Sequence, residues 1–393
     1  MLCMMDSVGK LTGLSMDVMV QGLRDIALYA HLHRITLENL TTDHLNIFHR
    51  ALLRVLGSEL AIDTFAQIVD SLPIADVAWD KRHPGIFGDN HPIEAHASLC
   101  PGVKDKTSAC LEQYDLHSLV FDAKLVQAYQ DAPLASKAFH TRLIELVVIA
   151  LHQIAVGLFK RDDLRSHSQQ EIDTFTNCVI VPPKSPAVNP RDYAVTVPPR
   201  PTLFNHPYYV DLEIYPEGLA DIVGYWAEDR IVGGIVLFDR RADPRDPRDR
   251  PDEENQGTGE EEAGGQNPAE NNPPNIWLHP ARDHVTDRVC QLHDDQQEEL
   301  VGYLLAAPGD TSSLLPILPH KGNRTRVDPA TAHSHKFIFR EYWDRKPGTQ
   351  ELLDLLLRRP QNELDYPEIR DFTNRIDAVE REWEEAKAKG TRK

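Results

Sequence analysis

The chain has 393 residues, 41% of them hydrophobic, and a net charge of −19, so at roughly 150 residues per unit it can build two or three folded parts. That acidity opposes the clustered Lys and Arg contacts through which proteins hold phosphate, so neither a nucleic acid nor a membrane surface is expected as a partner. Five cysteines at wide, irregular spacings, with no CxxC pair, exclude a disulfide framework and a thiolate-only zinc site, and fit the reducing cytosol or nucleus.

Residues 1–14 read as a disordered N-terminus with no secretory signal. From 15 to 180 the pattern is helical. Thr41-Thr-Asp43 opens a helix whose apolar positions Leu45, Phe48, Leu52, Val55 and Leu56 recur three and four apart, until Gly57 stops it. Leu60, Ile62, Phe65, Ile68, Val69 and Leu72 repeat the stripe as far as Pro73. Residues 73–107 then break periodicity with four prolines and three glycines, while His83, His91 and His96 gather there. Helices are predicted over 118–131 and 136–160. The second contains the most apolar stretch, Leu143 to Phe159, which carries Glu145, His152 and Gln153 and is too short for an ordinary membrane span, so it reads as a buried helix.

Seven prolines in residues 181–201 predict an extended connection. Strands are predicted at Tyr208 to Ile214, and at Asp221 to Trp226 and Arg230 to Phe238 as a hairpin turning at Ala227-Glu-Asp229. The run 251–275 holds seven carboxylates, no Lys or Arg, and nothing apolar larger than Ala. It cannot fold by itself, so 241–275 reads as a disordered acidic insert within one α+β unit spanning 202–345. Helical periodicity returns at Asp294 to Ala306, at Thr349 to Arg359 and at Pro367 to Lys389, the last two forming a charged C-terminal segment over 346–393.

Two blocks carry a resemblance: Pro201 to Arg240, with FNHPYYVDLE and GYWAEDRI, and Arg326-Val-Asp-Pro329 followed by His335 and Phe337 to Trp343. Together with the variable acidic insert between them, they resemble a family of uncharacterised proteins of filamentous fungi over roughly residues 195 to 345. The resemblance implies a fungal host and no named activity.

Eighteen histidines make metal binding the best-supplied chemistry. His333-Ser-His335 precedes the strand-like Phe337-Ile-Phe339. On an extended strand, i and i+2 share a face and can ligate one ion, with His206, His279 or His284 as further ligands, although no stoichiometric metal is expected there. His91 and His96, interleaved with Asp89 and Glu94, mix imidazole with carboxylate, but equally describe a polar loop. His31-Leu-His33 points its rings apart if helical.

No Gly-x-Ser-x-Gly elbow, Cys/His signature, Walker motif or dinucleotide fingerprint occurs. Acids beside aromatics, from Asp211, Glu213 and Asp221 to Glu228 and Asp239, could line a sugar cleft or simply form an amphipathic sheet. The expected fold class is therefore α+β, an N-terminal helical domain followed by a smaller antiparallel sheet with flanking helices. The expected function is a non-enzymatic binding or regulatory protein of the fungal cytosol or nucleus, with a protein partner and no cofactor. The alternative is an enzyme, such as a hydrolase, with its site where sheet meets helices, near His206, Tyr208, Asp211 and Glu213.

Overall fold

A computed structural model describes residues 33–80, 91–178, 201–241, 275–307, 313–344 and 363–370, with 373, 374 and 381. Helix α1 (Thr42–Leu56) ends at Gly57 as its periodicity requires. Ser58 then caps α2 (Glu59–Asp70) by accepting the Ala61 N–H, and α2 stops when Ser71 turns left-handed at φ 78°. A short α3 (Ala75–Trp79) and, past residues 81–90, the 3-10 turn Pro92–Ala95 precede α4 (Val103–Glu112). The helix predicted over 118–131 begins only at Ala123, because Phe121 and Asp122 form β2, which pairs antiparallel with β1 (Arg34–Ile35). Asp122 also caps α5 (Ala123–Asp131) from its side chain. The long α6 (Lys137–Phe159) matches its predicted span and is buried along most of its length. It is long and apolar enough to cross a membrane by composition alone, yet it packs inside the protein. Helix α7 (Gln169–Thr176) opens on a Ser168/Glu171 capping box.

The predicted hairpin over 221–238 is instead α8 (Leu219–Val232) followed by a single strand, β3 (Ile235–Asp239). Ala227-Glu-Asp229 lies inside the helix. Its residues are buried nearly all round, so no 3.6-residue stripe distinguishes it from strands, and its end is marked instead by Gly233. Gly233 sits at φ 111°, and a Cβ there would lie 2.1 Å from the Ile317 carbonyl oxygen, so only glycine fits. Tyr208 to Ile214, predicted as a strand, forms tight turns, with Tyr209 N–H bonded to His206 O and Ile214 N–H to Asp211 O. Among the described residues its ladder contact is a single bridge between His206 and Tyr209.

The fold is α+β. Strands β4 (Ile276–His279), β5 (Val289–Gln291), β6 (Arg326–Val327) and β7 (Ile338–Phe339) complete an antiparallel sheet of order β6-β5-β4-β3-β7. Helix α9 (Asp294–Leu305) matches its predicted span, and α10 (Pro329–Ser334) precedes β7. On β3, Val236 and Phe238 join the main core built on α1, α2, α6 and α8, whereas Ile235 and Leu237 join a second core with Tyr209, Tyr225 and Trp343. Both faces of the sheet are therefore covered. The main core draws on residues from Leu37 to Ile317, in both the helical and the α+β segments.

The N-terminus 1–14, most of the proline-rich connection 181–201, the helix predicted at 349–359 and most of 367–389 lie outside the described residues. So does nearly all of the insert 241–275, but its two ends are joined. Phe238 pairs with Ile276, and the Asp239 N–H bonds the Asn275 carbonyl at 3.2 Å. Replacing 243–273 with a Gly/Ser loop of about four residues shortens the closure by about three doublings, worth about 2 kcal/mol in favour of folding. The expected melting temperature is unchanged or a few degrees higher. A fall of more than about 5 °C would show that the insert packs on the fold.

Candidate functional site

Among the described residues, two convergences of ionisable side chains bear on chemistry. The first is the junction where α6 and α8 meet the sheet. Helix α8 lies close enough to α6 that a Cβ at Gly224 would meet the His152 ring at 2.6 Å, so the glycine makes room for the imidazole. His152 Nε2 is 3.0 Å from Asp221 Oδ1, and its Nδ1 accepts from Arg340 Nη2 at 3.5 Å. The Nε2–H tautomer satisfies both contacts. Arg340 also reaches Glu228 through Nη1 and lies over the Tyr225 ring. The Glu228 Oε1 accepts the Val236 N–H at 2.7 Å, tying α8 to β3.

A second pair stands beside it. Arg240, at the end of β3, donates to Glu145 of α6 at 2.6 Å and to the carbonyls of Phe339 and Arg340. Arg142 donates to the other Glu145 oxygen at 2.7 Å. In both pairs the partners are no more than 2% exposed, so the charges are fully desolvated. Burial opposes the Glu145 charge, but Arg240 and Arg142 outweigh it and hold the carboxyl below its ordinary range. Burial likewise opposes the Arg340 charge, and Glu228 reverses the effect, keeping the guanidinium strongly protonated. Asp344 differs. Burial outweighs Arg340 and pushes its carboxyl above the usual range, while it accepts from the Tyr225 hydroxyl at 2.7 Å. A cavity of about 30 Å³ lies here, lined by Arg34, Glu145, Arg240, Arg340, Glu341 and Tyr342 among others, with room for a water or two.

The second convergence joins Asp70, His96, Cys100 and His167, whose donor atoms all lie within 4.8 Å of one another. Asp70 ends α2, His96 follows the 3-10 turn Pro92–Ala95, Cys100 precedes the Pro101-Gly102 turn into α4, and His167 precedes the α7 cap. Lys106 of α4 holds the segment before His167 by donating to the carbonyls of Asp163 and Leu164. His96 Nε2 is 3.2 Å from Asp70 Oδ2, His167 Nε2 is 3.8 Å from Asp70 Oδ1, and Cys100 Sγ is 3.5 Å from the same His167 nitrogen. Burial pushes the Cys100 thiol up to about 11, and Asp70 adds to the effect. That is opposite to the depressed value a cysteine nucleophile needs. A bond to Asp70 raises His96 above the ordinary imidazole value.

The sequence candidates divide: His206, Tyr208 and His333 come together with His279 in one buried aromatic cluster, with ring centroids 4.6 Å apart for His206 and His279 and 5.1 Å apart for Tyr208 and His333, while the others stand outside it. His206 and Tyr208 are buried beneath the sheet, with His206 Nε2 bonded to the His279 carbonyl at 3.0 Å, whereas Asp211 is half-buried and Glu213 exposed. His333 and His335 are not on a strand. Pro329 starts α10 there, and on a helix i and i+2 diverge by about 200°, so His333 is buried against Tyr209 while His335 is exposed. His91 accepts the Ile93 N–H with its Nδ1, and Glu94 is exposed. Asp89 and His31 fall outside the described residues. Of the histidines weighed as ligands, His96 alone joins the four-residue cluster. Its spacing to Cys100, His-x3-Cys, was a legible signal; Asp70 and His167 arrive only through tertiary structure.

The fold and its buried ionic junction define a mixed α+β protein whose sheet is covered on both faces. No family model matches the chain, and neither a curated protein nor a solved structure matches it.

Proposed function

We propose that the chain is a non-enzymatic binding or regulatory protein of the fungal cytosol or nucleus. The observation that carries this reading is that the charges at the helix and sheet junction are committed to one another. Arg340 holds Glu228 and His152, His152 holds Asp221, and Arg240 holds Glu145. Such pairs fasten β3 and β7 to α6 and α8, a scaffolding task that uses the groups an enzyme would need for acid or base work. The enzyme reading needs His206, Tyr208, Asp211 and Glu213 to face one cavity, and their differing burial speaks against that. With a net charge of −19, the partner is a protein with a basic face, recruited by complementary charge.

The test uses the full chain, immobilised in native extract of a filamentous fungus, with the captured protein then purified and recombined. The expected result is a stoichiometric complex that weakens as salt is raised. Turnover of chromogenic ester, phosphate, glycoside or amide substrates, abolished in a Glu228→Gln protein that still folds, would overturn the reading.

A further inference from the structure

We propose that Asp70, His96, Cys100 and His167 bind one zinc ion. Zinc in a four-coordinate site stands about 2.0–2.1 Å from nitrogen or oxygen and about 2.3 Å from sulfur, which places neighbouring ligand atoms about 3.3–3.6 Å apart. The 3.5 Å between Cys100 Sγ and His167 Nε2 matches such an edge. His96 Nε2 stands 3.2 Å from Asp70 Oδ2 and His167 Nε2 3.8 Å from Asp70 Oδ1, and one ligand atom from each of the four residues lies within 4.8 Å of the other three.

The direction of the side chains distinguishes an ion from a catalytic triad. In a triad the imidazole uses one nitrogen toward the nucleophile and the other toward the orienting carboxylate. Here Cys100 Sγ and Asp70 Oδ1 approach the same nitrogen, Nε2 of His167. One proton cannot bridge both, whereas one cation can attract all three. His96 has the complementary arrangement. Its Nδ1 lies 2.9 Å from the Pro73 carbonyl, an acceptor only, so Nδ1 carries the proton and the Nε2 lone pair faces the centre. A ligating histidine held through its other nitrogen by a backbone carbonyl is the usual outer support of a metal site.

His96 Nε2 and Asp70 Oδ1 are both buried and face polar neighbours, Asp70 Oδ2 at 3.2 Å and His167 Nε2 at 3.8 Å respectively, contacts that an ion between these groups would take over. Two imidazoles and a thiolate select a borderline ion such as zinc over magnesium or calcium. One thiolate and one carboxylate also neutralise its charge, which suits a largely buried position. The ion would fasten the end of α2, the loop before α4 and the start of α7 together. Phe175 of α7 would thereby be held over the small apolar cluster of Leu72, Ala78, Ile93 and Leu203. The site uses none of the junction residues, so it stands or falls separately from the functional reading.

Elemental analysis of the untagged full chain is expected to find about one zinc per chain. After chelation and cobalt loading, the protein should show a thiolate-to-cobalt charge-transfer band and the intense visible bands of four-coordinate cobalt. Cys100→Ser should remove the charge-transfer band, His167→Ala should lower the zinc content, and His333→Ala should leave it unchanged. A chain that carries no zinc and takes none up from micromolar solution would overturn the proposal. So would a weak, six-coordinate cobalt spectrum in the unaltered protein, a readout that does not depend on any variant folding.

Discussion

Ile235→Asp is expected to leave the chain without a stable fold. Ile235 is fully buried on β3, which is hydrogen-bonded on both edges, to β4 and to β7. Its side chain packs in the core formed with Leu237, Tyr225 and Trp277. Losing that burial costs about 1.5–3 kcal/mol. An aspartate there would sit among apolar and aromatic side chains, and a buried polar group without a partner adds several kcal/mol more. Together these approach the whole stability of an ordinary domain, about 5–15 kcal/mol. Ile235→Val should cost only about 0.5–1.5 kcal/mol. Circular dichroism through a denaturant titration checks both. A soluble Ile235→Asp protein with a cooperative transition near that of the parent would contradict the placement of β3 in the interior.

Arg340→Ala should destabilise the protein by about 3–5 kcal/mol, because it strands the Glu228 carboxylate in a fully desolvated position. The loss arises from the orphaned charge more than from the bond itself, so removing both charges should recover most of it. Arg340→Met with Glu228→Gln is the suitable pair, since the glutamine oxygen can still accept the Val236 N–H that Glu228 now holds at 2.7 Å. Unfolding free energies of the single and double variants measure the coupling. If Arg340→Ala proved as stable as the parent, the ion pair would not be the fastening described.

What could be read from the chain divides along physical lines. Helices α1, α6 and α9 were legible from apolar periodicity, with Gly57 ending the α1 stripe; the structure adds the caps, Ser136 accepting the Phe139 N–H and His293 before Asp294. Helix α8 was misread because Ile222, Val223, Tyr225, Trp226, Ala227, Ile231 and Val232 are all buried. A helix wrapped in protein has no wet face, and its β-branched and aromatic content then imitates strands. The mixed helix and sheet class stands despite that error, since β3 (Ile235–Asp239) falls almost wholly within the strand predicted at Arg230 to Phe238.

Sites were less legible than elements. The junction pairs join residues 95 apart, Arg240 with Glu145, and 112 apart, Arg340 with Glu228. No spacing rule can anticipate such contacts. The Asp70 cluster was half visible through His96 and Cys100, but His167 lies 67 residues from Cys100 and is brought there by the turn after α6. His333 and His335 failed for a local reason: Asp328-Pro329 begins a helix, which changes the side-chain period from two residues to 3.6.

The claim that the junction is scaffold is tested most directly by titrating the protein captured in the proposed extract experiment into the Arg340→Met, Glu228→Gln variant and the parent, calorimetrically and under one salt condition. The account predicts that the variant is folded and binds with a dissociation constant within about two-fold of the parent's, a difference below 0.5 kcal/mol. A variant that folds like the parent but has lost binding would place Arg340 and Glu228 in the working site and contradict the account.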